Sequence, residues 1–215
     1  MRIDPDGRQV QGISTFVLFV VLNVLYLVTC LPVVTVGAAT SALLEVTLRY
    51  ADEERGDLVR GYLRALRTNL WRGTGVLLAL GVPTLMLVFS AVFWLNLGGL
   101  LTAVAGALSV LAATFGFAAT LYGFALVAWF DAPLRRCLRN ALLLPLVEPA
   151  RTLGLVLLPV TGACVVYLVP VTGFLAATIG LSFGAYLLAL LLHGVFRRRR
   201  ADPSELEPVS PHSGE

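Results

Sequence analysis

Residues 73–130 read GTGVLLALGVPTLMLVFSAVFWLNLGGLLTAVAGALSVLAATFGFAATLYGFALVAWF, from Gly73 to Phe130 without one Asp, Glu, Lys or Arg. No soluble core requires an uncharged run of that length. As one helix rising about 1.5 Å per residue it would extend about 87 Å, against the roughly 30 Å hydrocarbon layer of a bilayer. It must therefore fold back, and the polar, glycine-containing break Asn96-Leu97-Gly98-Gly99 divides it into two spans, 73–95 and 100–130. The whole chain agrees with this reading, since 58% of its 215 residues are hydrophobic and only 13% are charged, the balance of an integral membrane protein.

Upstream, Ile13–Val34 forms another apolar run long enough to cross a bilayer. It exceeds the roughly 7–15 residues of a signal-peptide core, so it is read as a retained span even though Val36-Gly37-Ala38 resembles a cleavage site. Pro32, which has no amide hydrogen, and Gly37 are expected to kink or end this helix. Thr40 or Ser41 is then expected to cap a short helix through Tyr50. Downstream, Thr152–Phe196 is again free of Asp, Glu, Lys and Arg, and the interruption Pro170-Val171-Thr172-Gly173 gives spans 153–169 and 174–193.

Between these runs lie two short basic segments. With Asp57 as its N-cap, Leu58–Trp71 reads as an amphipathic helix in which Val59, Tyr62, Leu63, Leu66 and Leu70 share one face and Arg60, Arg64 and Arg67 flank it. Such arginines lay their stems on apolar surface and send their guanidinium groups to water or phosphate, the pattern of an interfacial helix. Asp131 is expected to cap the second helix, 131–145, where Leu134, Leu138 and Leu142 accompany Arg135, Arg136 and Arg139; Pro145 and Pro149 then stop and restart the chain. The predicted fold is all-α: a polytopic membrane helical bundle of five transmembrane helices with two short amphipathic cytoplasmic helices. It occupies one domain, residues 1–200, followed by a disordered cytoplasmic tail, 201–215.

All sixteen basic residues are arginine, and their distribution sets an orientation. Fourteen fall in the 37–72 loop, the 131–151 loop or the C-terminal tail, while the turns at Gly98 and Pro170 have none. With five spans, the positive-inside bias predicts an outside N-terminus and a cytoplasmic C-terminus in the plasma membrane. The net charge of +3 is dispersed between apolar runs, which excludes a nucleic-acid surface.

Ion-coupled transporters place ionisable side chains inside their spans, and none occurs in the interior of these. His193, near the last arginine cluster, offers neither a metal set nor a proton relay. Cys30, Cys137 and Cys164 have no metal or redox spacing and read as small hydrophobes. No nucleophile–base pair or phosphate-cradling loop appears, so neither catalytic residues nor a cofactor is expected. Asn23, an amide deep in an apolar helix, should seek a hydrogen bond to a neighbouring helix.

The segment Leu31-Pro32-Val33-Val34-Thr35-Val36-Gly37-Ala38-Ala39-Thr40, preceded by Asn23, resembles the YesL-like bacterial membrane proteins, which are uncharacterised in mechanism. Gly61–Asn69, 138–143 and 148–153 are similar to the same family, so the resemblance covers most of the chain. It singles out Asn23, Pro32, Thr35 and Gly37 as motif and helix-break residues. It departs at Leu63, Leu66 and Leu70, which stand where phenylalanines are expected. The resemblance implies a non-enzymatic accessory or partner-binding protein linked to carbohydrate uptake, with the bilayer, a carbohydrate-transporter subunit or a second copy as partner. Arg60, Arg64, Arg67, Arg135, Arg136 and Arg139 are the candidate lipid or partner contacts. A small oligomeric pore or uncoupled carrier is the alternative, and a membrane enzyme stands behind it.

Overall fold

The computed structural model describes the backbone of residues 5–53 and 58–201, with side chains described for 16–50 and 58–192. Among these residues every element is helical. Helix α1 is Pro5–Cys30 and α2 is Val36–Glu53, joined through a 3-10 turn at Val33–Thr35. Helix α3, Leu58–Val76, passes through a π turn at Leu77–Gly81 into α4, Val82–Asn96. Then come α5, Leu100–Trp129; α6, Leu134–Val147; α7, Pro149–Leu168; and the one-turn α8, Thr172–Leu175, which continues through a π turn at Ala176–Gly180 into α9, Leu181–Ala201.

Four helices are long and apolar enough to cross a membrane: Leu58–Asn96, Leu100–Trp129, Pro149–Leu168 and Thr172–Leu192. This is the pattern of a multi-pass membrane protein. The described apolar part of α1 is Phe16–Cys30. Large apolar side chains on the outer faces are bare, among them Leu101 at 86% exposure and Phe89 at 74%, an arrangement that lipid tolerates and water does not. The turn between α4 and α5 is as expected: Gly98 and Gly99 have φ of 68° and 107°, where a side chain would be strained.

Two expectations change. First, 58–71 is not a separate interfacial helix. With the next span it forms one continuous helix of 39 residues, about 58 Å at roughly 1.5 Å per residue, so its arginines ride on an extension of that span. Pro83 follows the π turn inside this helix, where the i→i−4 ladder is already interrupted. The buried face of α3 is Leu58, Tyr62, Ala65, Asn69, Gly73 and Val76, whereas Leu63 and Leu70 are exposed.

Second, α2 is not a short loop helix. Ala38, Ala39, Ala42, Leu43, Leu44, Val46 and Leu48 are all buried, so α2 is enclosed by its neighbours. Thr40 does not cap it, because its hydroxyl donates back to the Val36 carbonyl at 2.8 Å. Gly37 breaks nothing: the break is at Leu31 and Pro32, and Gly37 lies inside α2, where its backbone meets that of Gly73 on α3. A Cβ on Gly73 would sit 2.7 Å from Ala38 Cα, so the crossing requires glycine on both sides.

Helix α1 runs antiparallel to two of its neighbours. Tyr26 bonds Thr40 at 3.1 Å and Phe19 packs on Tyr50 at 5.7 Å, so α1 and α2 are antiparallel. Phe19 also packs on Tyr186 while Asn23 meets Ala176, which makes α1 antiparallel to α9 as well.

Candidate functional site

The corner predicted around Pro32 is a structural joint. Pro32 has extended dihedrals, φ −76° and ψ 115°, and the Thr35 hydroxyl donates to the carbonyls of Thr29 and Pro32, satisfying acceptors that the end of α1 leaves open. Thr29 in turn contacts the Tyr62 hydroxyl at 2.5 Å, and Thr74 donates to the Val34 carbonyl at 3.0 Å. Thus Pro32, Thr35 and Gly37 are brought together where α1, α2 and α3 meet. Asn23 is elsewhere, fully buried against the π turn of residues 176–180. With its amide oxygen facing that turn it accepts from Ile179 N–H at 3.0 Å and Gly180 N–H at 3.3 Å; in the opposite sense it donates to the Ala176 carbonyl at 3.3 Å. A π turn disturbs the i→i−4 ladder, and Asn23 supplies a partner there.

The arginine-bearing end of the molecule is built by α2, α3, the end of α5 and α6. Arg60, Arg64 and Arg67 are exposed on α3, and Arg135, Arg136 and Arg139 are exposed on α6. Leu134, beginning α6, lies over Gly75 near the end of α3, the point where the two basic helices meet. The buried residues of α6 are Cys137, Ala141, Leu144 and Pro145. The helix runs through Pro145 to Val147 and α7 starts at Pro149, so only the second proline marks a restart. Asp131 does not cap α6. Pro133 occupies that position without a side-chain bond, and Asp131 instead pairs with Arg72 at 2.9 Å. The expected caps and tail at Asp57 and 202–215 lie outside the described residues.

Arg72, which local sequence reading leaves among the loop arginines, is a clamp. One terminal nitrogen donates to the carbonyls of Phe130 at 2.5 Å and Ala132 at 2.8 Å, tying α3 to the α5–α6 loop. Beside it Glu45 of α2 accepts from Arg49 at 2.6 Å and, through its other oxygen, from Asn69 of α3 at 2.6 Å. Glu45 and Arg49 are four apart in one helix, the spacing of an ion pair, and that signal was available in the sequence. The partners Asn69 and Arg72 come from contacts 24 and 59 residues away. These side chains line a cavity of about 200 Å³ with Arg64, Thr68 and Trp129. A second cavity, about 330 Å³, is apolar and lies among α4, α5 and α7. Among the described residues no group of three metal-ligating side chains occurs.

Residues 19–91 match the family model described as "Protein of unknown function, DUF624". No curated protein and no solved structure matches the chain at a significant level. The DUF624 segment covers the second half of α1 from Phe19, the Pro32 joint, α2, α3 and the first two-thirds of α4. It therefore contains the Gly37–Gly73 crossing, the Asn69–Glu45 contact and the arginines of α3, whereas α6 and its arginines fall outside it.

Proposed function

We propose that this chain is a non-enzymatic accessory protein of the bacterial plasma membrane, of the YesL-like kind, which binds a partner in carbohydrate uptake through the basic surface of α3 and α6. The observation that carries this reading is the adjacency of two helices whose six arginines all face outward. Exposed Trp71, Leu63 and Leu142 add apolar surface between the cationic positions, a combination suited to a membrane-protein subunit at the lipid boundary. The matching family has no stated activity, and the carbohydrate context rests on the resemblance alone. For topology, the directions of the helices support an N-terminus and a C-terminus on the same, cytoplasmic face. In that arrangement the α1–α2 hairpin enters the bilayer with its bare tip of Leu31, Val33 and Val34 and returns, so Arg2 and Arg8 join the other fourteen arginines.

The test places photoreactive residues at Arg67 and Arg139 in native membranes. A discrete adduct with a carbohydrate-transporter subunit is expected. Each guanidinium near an anionic surface contributes about 1 kcal/mol, so replacing Arg135, Arg136 and Arg139 together by Gln should lower occupancy roughly a hundredfold. A second reading, an oligomeric pore or uncoupled carrier, draws on α7, of whose apolar window only 6% is buried in the single chain. Saturable sugar flux through liposomes holding the protein alone, with no adduct in native membranes, would replace the accessory reading by this one.

A further inference from the structure

We propose that the polar cavity between α2, α3 and the end of α5 binds a phosphate group, held by Arg49 and Arg64 with Arg72 as a fixed cationic wall. This goes beyond partner docking, because Arg49 and Arg72 are not among the six arginines of the docking surface, which contributes only Arg64. The walls carry three guanidinium groups and two carboxylates, a balance of +1. Neither carboxylate points unengaged into the space. Glu45 spends one oxygen on Arg49 and the other on Asn69, and Asp131, fully exposed, pairs with Arg72. The uncompensated charge is that of Arg64, which has no ion-pair partner among the described residues.

The arrangement is also preorganised. Arg49 is two-thirds exposed yet oriented by Glu45, and Arg72 is locked by two backbone carbonyls. Guanidinium forks on two helices can each give paired donors to a tetrahedral oxyanion, which a single planar carboxylate fills less completely. A metal cation is disfavoured by the same charge balance. The ligand chemistry is thus a phosphate mono- or diester, whether on a lipid headgroup or free in solution.

Full-length protein in neutral-lipid nanodiscs, dialysed against radiolabelled inorganic phosphate, tests the free source. The same protein reconstituted with phosphatidic acid, its retained lipid counted by native mass spectrometry, tests the headgroup source. Saturable, near-stoichiometric retention in at least one arm is expected, and the arm that responds names the source. Arg64→Gln should weaken that retention about tenfold, the order of one charge-assisted hydrogen bond. Arg49→Gln serves as the second variant if Arg64→Gln alters the melting midpoint. No saturable retention in either arm, or retention equal in Arg64→Gln, Arg49→Gln and the parent protein, overturns the site.

Discussion

Gly37→Val is expected to prevent the α2–α3 crossing from forming and to remove most of the folded protein recovered from membranes. Any Cβ at this position runs into the Gly73 carbonyl oxygen, and the obstacle is backbone, which cannot rotate away. Overpacking in a well-packed core costs typically about 1–3 kcal/mol, and a forced helix displacement lies at or above the upper end. The loss should propagate, because α2 is enclosed and Ala38 and Ala39 beside the crossing have no exposed surface. Gly162→Val is the control, since nothing lies within 4 Å of a Cβ there. Thermal melting in detergent, followed by the monodisperse fraction, should show Gly37→Val lost and Gly162→Val close to the parent. Equal melting of the two variants would show that the crossing does not hold the fold.

Arg72→Met should produce the second large effect. Two attachments compete as the source of Arg72's contribution, and their magnitudes decide between them. The ion pair to Asp131 involves a fully exposed carboxylate, and such pairs contribute about 0–1 kcal/mol. The bonds to the Phe130 and Ala132 carbonyls are partly buried, charge-assisted and short, and their loss leaves acceptors without a partner at about 1–3 kcal/mol. Arg72→Met should therefore destabilise the protein by about 2–3 kcal/mol, while Asp131→Asn should cost less than about 0.5 kcal/mol. Hydrogen exchange at the amides of Arg136 and Cys137, which bond the Pro133 carbonyl at the start of α6, should accelerate in the first variant alone. A larger effect from Asp131→Asn would reverse the assignment.

Much of the membrane architecture was legible because apolar length and glycine breaks are local signals. The turn at Gly98 and Gly99 and the run 100–130, realised as Leu100–Trp129, needed no tertiary information. Helix α2 was obscured for a physical reason: most of its surface is buried, leaving only a narrow polar edge to generate periodicity, and Glu45 and Arg49 on that edge make it look too polar to be enclosed. Gly37 and Gly73 look like helix ends from sequence because glycine permits both a break and a close approach; only the packing tells them apart. At the candidate site the exposed arginines of α3 and α6 were readable from helical spacing. Arg72 was not, because its partners are carbonyls of a distant loop, and Asp131 was drawn from its expected capping role by the same long-range contact.

The proposed topology puts both chain ends and the arginine surface on the cytoplasmic face. It is tested most directly with single cysteines in a variant whose Cys30, Cys137 and Cys164 are replaced by Ala. With an impermeant thiol reagent added to intact cells, Leu97→Cys and Val171→Cys, at exposed positions in the uncharged turns, should label. Arg2→Cys, Arg67→Cys and Ser204→Cys should label only after lysis. Labelling of Arg2→Cys from outside, with Ser204→Cys protected, would restore the five-span arrangement and contradict the helix directions on which the account rests.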